Sequence, residues 1–171
     1  MKKFNTEYRM QNTEYSHSRS ARKGFTLTEL LVVLGITAVL STVSFSLYIN
    51  QQRTKLLETT AEEIVGFLKY AQQKSMFQEE GKQWNVHFEN PASGSDFYAL
   101  YTGDTYTSPI EPRYLPQGIT FGAPGDGSSI NIPFYKLSGD SLGGTIIVKG
   151  YFNQSVVIEV SPRGLILQGN G

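Results

Sequence analysis

Three observations predict an α+β fold, a long N-terminal helix followed by an antiparallel β-sheet or sandwich domain. From Phe25 to Ile49 run 25 residues among which only Glu29 is charged. From Asn50 to Gln78 there is no proline and one glycine, Gly66, while Leu57, Ala61, Ile64, Leu68, Ala71 and Ser75 recur at the i, i+3/i+4 spacing of one helical face. After Gly81 the period changes to two, and turns rich in glycine and proline separate short apolar-alternating runs. A helix followed by a succession of strands is the α+β pattern.

The first element is a basic leader over residues 1–24. It holds Lys2, Lys3, Arg9, Arg19, Arg22 and Lys23 against Glu7 and Glu14, a net charge of +4, so the rest of this formally neutral chain carries −4. Serine, asparagine, tyrosine and glutamine fill it without apolar periodicity, so it reads as a tail removed from the fold. A basic nucleic-acid-binding arm is the alternative, and the interspersed acids weaken it. Positive residues beside a membrane helix stay inside. That rule puts the leader on the cytoplasmic side and the domain after Ile49 outside.

Residues 25–50 form the expected transmembrane and assembly helix. At 1.5 Å rise per residue, a run of that length covers the ~30 Å hydrocarbon core of a bilayer. Glu29 is the anomaly, because a carboxylate at the centre of a membrane helix costs about 2.5–3.5 kcal/mol, and less near the end. A partner charge explains its presence. If the chain is cut between Gly24 and Phe25, the new α-amine lies one helical turn from Glu29. Two such helices side by side, slightly offset, can pair the amine of one with the carboxylate of the other.

The stretch Lys23-Gly24-Phe25-Thr26-Leu27-Thr28-Glu29-Leu30 followed by Leu31-Val32-Val33 resembles the type IV pilin and pseudopilin family. The resemblance implies that Gly24 is the glycine of the cleavage site, Phe25 the N-methylated first residue of the mature chain, and Glu29 the assembly glutamate. It further implies a membrane-embedded prepilin peptidase that cuts and methylates on the cytoplasmic face. The implied partners are other pilin or pseudopilin subunits, an inner-membrane assembly platform, and membrane lipid before assembly. A cleavable secretory signal fits less well, since the apolar run is too long and no small-x-small site follows it.

Residues 51–80 continue the helix as its amphipathic half, with Arg53, Lys55, Glu58, Glu62, Glu63, Lys69 and Gln73 off the apolar stripe. Gly66 there suggests close approach to a strand, and Glu79-Glu80-Gly81 ends the helix. Residues 81–171 form the β domain. Strands are predicted from Trp84 to Phe88, Phe97 to Tyr101, Gly118 to Phe121, Ile130 to Tyr135, Gly144 to Lys149, Ser155 to Val160 and Leu165 to Leu167. Residues 102–117 read as loop. Pro133 marks its strand as an edge or a bulge.

Tyr114-Leu-Pro-Gln-Gly-Ile-Thr-Phe121, Phe134, Gly143-Gly-Thr-Ile-Ile-Val148 and Val157-Ile-Glu-Val-Ser-Pro-Arg-Gly164 are similar to the GspH/FimT branch of minor pilins and pseudopilins. That branch commonly has Gly-Arg where this chain has Pro162-Arg163-Gly164. Some of its members bind DNA for natural transformation through bases near this turn, which here makes Arg163, Lys149 and Lys136 the candidate nucleic-acid contacts. A mature charge of −4 with dispersed bases suits such binding poorly.

Enzymatic readings find little support. The absence of cysteine excludes disulfides, a thiol nucleophile and cysteine metal sites. His17 and His87 are the two histidines, with no carboxylate-rich metal loop beside either. His87 alternates with Val86 and Phe88, which turns it to the opposite face of its strand. Gly122-Ala-Pro-Gly125-Asp-Gly127 lacks the helix and lysine of a phosphate loop. Tyr98, Tyr101, Tyr106 and Tyr114 suggest an adhesive surface. The expectation is a non-enzymatic subunit without metal or cofactor: a minor pilin or pseudopilin of a type IV pilus or type II secretion-like filament. A DNA-uptake receptor or a major pilin is the alternative.

Overall fold

The computed structural model describes residues 24–171 other than the side chains of residues 42–47. The expected leader thus lies outside the described residues except for Gly24. The chain divides into two units at Thr42/Val43.

Helix α1 runs from Leu27 to Met76. In the first unit every described side chain from Gly24 to Ser41 is exposed, including Leu27, Leu30, Leu31, Val32, Val33, Leu34 and Ile36. Beyond its first turn two hydroxyls turn back on the helix: Thr37 Oγ1 donates to the carbonyls of Val33 and Leu34 at 2.9 and 3.0 Å, and Ser41 Oγ to that of Thr37 at 2.7 Å. Such back-bonding leaves the surface of the rod apolar.

Among the described residues, no helix is long and apolar enough to cross a membrane. The membrane span expected over 25–50 is therefore not supported there. The stretch of α1 from 27 to 41, ahead of the six undescribed side chains, is 15 residues, or about 22 Å of rise, short of the ~20 residues a span needs.

In the second unit α1 is amphipathic, as its spacing predicts. Leu57, Ala61, Ile64, Leu68, Ala71 and Ser75 are all buried, joined by Thr60 and Phe67. The helix stops where Gln78 takes a left-handed conformation and Glu79–Gly81 makes one 3₁₀ turn. Lys74 Nζ bonds Glu79 at 2.6 Å across this end and lies 4.2 Å over the Trp84 ring.

Eight strands follow: β1 (Trp84–Asn90), β2 (Phe97–Thr102), β3 (Ile110–Tyr114), β4 (Thr120–Ala123), β5 (Ser128–Pro133), β6 (Gly144–Lys149), β7 (Ser155–Val160) and β8 (Ile166–Asn170). They form two antiparallel four-stranded sheets, ordered β3-β2-β1-β5 and β4-β6-β7-β8. One core joins both inner faces to the helix. Val86, Phe88, Tyr98, Leu100 and Ile132 come from the first sheet, and Phe121, Ile146, Val148, Val156, Ile158 and Val160 from the second. Phe88 and Phe121 meet edge to face at 5.7 Å where the two sheets touch.

Strand β3 lies within the stretch read as loop. Pro112 and an exposed pattern hide it from period counting, and its ladder to β2 shifts register between Tyr98 and Leu100. Glu111 sits there at φ 50, so the strand bulges at an edge, where proline is tolerated. Pro133 closes β5, which is the other edge of that sheet. Gly66 departs from expectation. It is exposed and a Cβ there would meet nothing within 4 Å, so no strand packs against it, although it shares a surface recess with Glu111 and Arg113 of β3.

Polar clips fasten the pieces. The hydroxyl of fully buried Ser75 donates to the Trp84 carbonyl at 2.8 Å and accepts from the Trp84 N–H at 2.7 Å, tying the helix end to the start of β1. Gln72 Nε2 donates to the carbonyls of Gly139 and Gly164 at 2.9 and 2.8 Å. Gly164, at φ 72, sits so close that a Cβ would collide with the Gly139 carbonyl and the Gln72 amide. The backbone of Phe121 is held from the first sheet on both sides. Its N–H donates to Asp96 Oδ2 at 2.6 Å, and its carbonyl accepts from Asn90 Nδ2 at 3.2 Å.

Ser75→Ala leaves the N–H and carbonyl of Trp84 without their partner in the core. Urea unfolding should show a loss of about 1–3 kcal/mol, whereas Ser129→Ala, on an exposed site, should stay within about 0.5 kcal/mol. Equal stability of the two variants would remove Ser75 as a clip.

Candidate assembly site at the head of the helix

Thr26 is the N-cap of α1. Its Oγ1 accepts from the N–H of Glu29 at 3.2 Å, and its carbonyl accepts from the N–H of Leu30 at 3.1 Å. Thr26-Leu27-Thr28-Glu29 therefore has the spacing of a capping box, with Glu29 at the third helical position. The sequence reading missed this role. Its signal is the Thr-x-x-Glu spacing directly before the apolar run. The carboxylate also lies in the first turn, where the helix dipole favours negative charge.

The cap uses the backbone of Glu29 and leaves its side chain uncommitted. The carboxylate is exposed, with no hydrogen bond or ion pair among the described residues. Gly24 and Phe25 precede the cap, and Phe25 is 81% exposed. The three residues singled out for processing and assembly thus lie within six consecutive positions at the start of α1. All three are accessible.

The three candidate nucleic-acid contacts are spread out. Arg163 is exposed on the turn between β7 and β8, beyond Val160, which pairs with Gly144 at the start of β6. Lys149 ends β6 opposite Ser155, about 17 Å away along the ladder from Gly144 at 3.3 Å per residue. Lys136 is exposed and spends its ammonium on the Gly81 carbonyl at 2.7 Å.

His87 lies on the face of β1 opposite Val86 and Phe88, as the alternation predicts, and is 3% exposed. Its Nδ1 is 2.6 Å from Asn131 Oδ1, its Nε2 3.2 Å from Glu89 Oε2, and Tyr106 stacks flat on the ring at 3.6 Å. The tyrosines do not form one surface. Tyr98 is 2% exposed and packs on Phe67 and Phe88 in the core, because it shares the inner face with Leu100, whereas Tyr114 is 66% exposed. Tyr101 and Tyr106 meet edge to face at 5.5 Å on the outer side. Among the described residues, no group of three or more His, Cys, Asp or Glu side chains is placed to hold a metal ion.

The head of the helix is the region with a counterpart among known proteins. Residues 19–45 match the model of the prokaryotic N-terminal methylation motif. This motif is typical of type IV pilins and pseudopilins that prepilin peptidase processes, and it supports a pilin-like chain. It covers Gly24, Phe25 and Glu29 and ends before the β domain. No curated protein and no solved structure matches the chain.

Burial raises the hydroxyl pKa of Tyr98, Tyr101 and Tyr106. The charges of Asp104 and Glu89 add to the effect at Tyr101 and Tyr106 respectively. In the unfolded chain a tyrosine titrates near 10, so above that pH the unfolded state releases these protons first. Stability from this source is whole below about pH 10 and falls as pH rises through the higher folded values. Thermal melts followed by circular dichroism should show a decline beginning near pH 10, shallower in Tyr98→Phe. An identical slope in that variant would show that the Tyr98 hydroxyl does not contribute.

Proposed function

We propose that this chain is a minor pilin or pseudopilin, a non-enzymatic structural subunit of a type IV pilus or type II secretion-like filament. The observation that carries the reading is the head of α1. An exposed apolar helix, with two of its hydroxyls folded back on the backbone, presents a free carboxylate in its first turn inside a prokaryotic N-terminal methylation motif. Apolar surface on this scale requires another apolar environment. Lipid supplies it before assembly, and the helices of neighbouring subunits supply it afterwards.

In this reading, prepilin peptidase cuts after Gly24 and the new amine of Phe25 is methylated. Residues 25–50, including the stretch with undescribed side chains, anchor the precursor in the inner membrane with the leader inside and the β domain outside. An inner-membrane assembly platform then lifts the helix into a bundle of pilin or pseudopilin helices. There the Phe25 amine of one subunit pairs with the Glu29 carboxylate of another. The capping geometry favours this division of labour, since the backbone of Glu29 fixes the helix start while its side chain stays available. Assignment to the minor class rests on the GspH/FimT-like pattern from Tyr114 to Gly164. DNA binding gains nothing from the dispersed positions of Arg163, Lys149 and Lys136.

Glu29→Ala should reach the membrane at the wild-type level and be processed, yet be missing from sheared surface filaments, as read by immunoblot of the two fractions. Gly24→Val should retain the leader, and intact mass should then exceed that of the processed chain by residues 1–24. Filaments containing Glu29→Ala at wild-type abundance would remove the charge pair, and a processed mass from Gly24→Val would move the cut elsewhere.

A further inference from the structure

The outer face of the first sheet is built unlike a solvated face. Asn85, His87 and Glu89 of β1 lie between Tyr101, Ala99 and Phe97 of β2 and Pro133, Asn131 and Ser129 of β5, in register. Tyr106 covers the His87 end. At the Asn85 end a cleft of about 330 Å³ opens, at the small end of the ~300–1,000 Å³ range of small-molecule sites. Its polar lining comes from Gln83, Asn85, Tyr101, Asp104, Asn131 and Tyr135.

The amides at its base are already ordered. Gln83 Nε2 donates to Asn85 Oδ1 at 3.1 Å, and Asn85 Nδ2 donates to the Gly103 carbonyl at 2.7 Å, with Asn85 only 1% exposed. Asn131 spends Oδ1 on His87 and keeps Nδ2. Asp104, Tyr101, Tyr135 and Gln83 also line the cleft, and among the described residues their side chains make one hydrogen bond, from Gln83 Nε2. Donors and acceptors thus stand side by side on a rigid sheet next to phenol rings and the apolar edges of Pro133 and Leu142.

This chemistry selects among ligands. No lysine or arginine lines the cleft. Lys82 and Lys136 share the adjoining recess with Asp104 but are engaged by Glu80 and the Gly81 carbonyl, and Asp104 repels anions, so phosphates and nucleic acid are disfavoured. One carboxylate is too few for a calcium site, which gathers 6–8 oxygens. A neutral ring with adjacent hydroxyls and an apolar C–H face matches the paired amides, the carboxylate acceptor and the phenols. We propose that the cleft between Gln83, Asp104 and Tyr135 binds a neutral sugar unit, giving the outer face of the β domain a glycan-recognition site.

The cleft is lined by residues of the β domain alone, and failure of the filament reading leaves it untouched. The test uses the full chain in zwitterionic micelles free of sugar headgroups, with methyl β-galactoside, methyl α-mannoside and N-acetylglucosamine as probes. Saturation-transfer NMR should show transfer to at least one of the three. Asp104→Ala, an exposed loop substitution, should weaken that binding about ten- to a hundredfold, as expected for loss of a charge-assisted hydrogen bond. Tyr135→Phe should weaken it less, and Lys149→Ala should leave it unchanged. Absence of transfer from all three probes overturns the proposal. So does transfer undiminished in both Asp104→Ala and Tyr135→Phe.

Discussion

The β domain depends on one stripe of helix. Each four-stranded sheet has an apolar inner face, and the same six helix residues, Leu57, Ala61, Ile64, Phe67, Leu68 and Ala71, contribute to the one core that both faces share. Remove the stripe and both sheets expose their apolar faces to water, at roughly 25 cal/mol per Å². The polar clips follow from this dependence. Ser75 and Gln72 fix the helix against turns that would otherwise be free to slide, while Asp96 and Asn90 grip the backbone of Phe121. Apolar packing supplies the drive, and these bonds select one arrangement, because any slip leaves a buried polar group unpaired.

The same helix has a second requirement at its head. From Leu27 to Ser41 the apolar residues run all round the helix instead of along one face, and all are exposed. A helix apolar all round belongs in lipid or in a bundle. Its start is nevertheless specified locally, by Thr26 and the Glu29 N–H. That economy explains how one glutamate can take part in the cap and still offer a charge to another molecule: the cap takes the amide, and the side chain remains free.

The sequence resolves what local periodicity controls. The helix, its buried stripe and seven strands are readable because a period of 3.6 or 2 persists over enough residues. Strand β3 is not readable, since Ile110-Glu-Pro-Arg-Tyr exposes four of its five side chains and bulges at Glu111. Gly66 misleads because glycine in a helix signals close packing only when a neighbour packs on it, and none comes within 4 Å of where its Cβ would be. The separation of Lys149 from Arg163 is a matter of strand register, and the core placement of Tyr98 a matter of which face it shares. Both need the ladders. Asp96 carries no local mark of burial, because its partner, the Phe121 N–H, lies 25 residues on.

The two faces of β1 show where variation is permitted. The inner residues Trp84, Val86 and Phe88 share one core with α1 and both sheets, so changes of size there propagate into every layer. The outer residues Asn85, His87 and Glu89 meet their ladder neighbours on β2 and β5, the Tyr106 ring and the adjoining loops. Full burial of Asn85 and His87 on that side costs desolvation which packing alone does not require, since aliphatic residues would fill the same space without polar partners. Their hydrogen bonds to Gly103, Asn131 and Glu89 under the Tyr106 ring offset that cost. The helix and inner faces hold the domain together, so a change on the outer face must satisfy its polar neighbours but need not disturb the core.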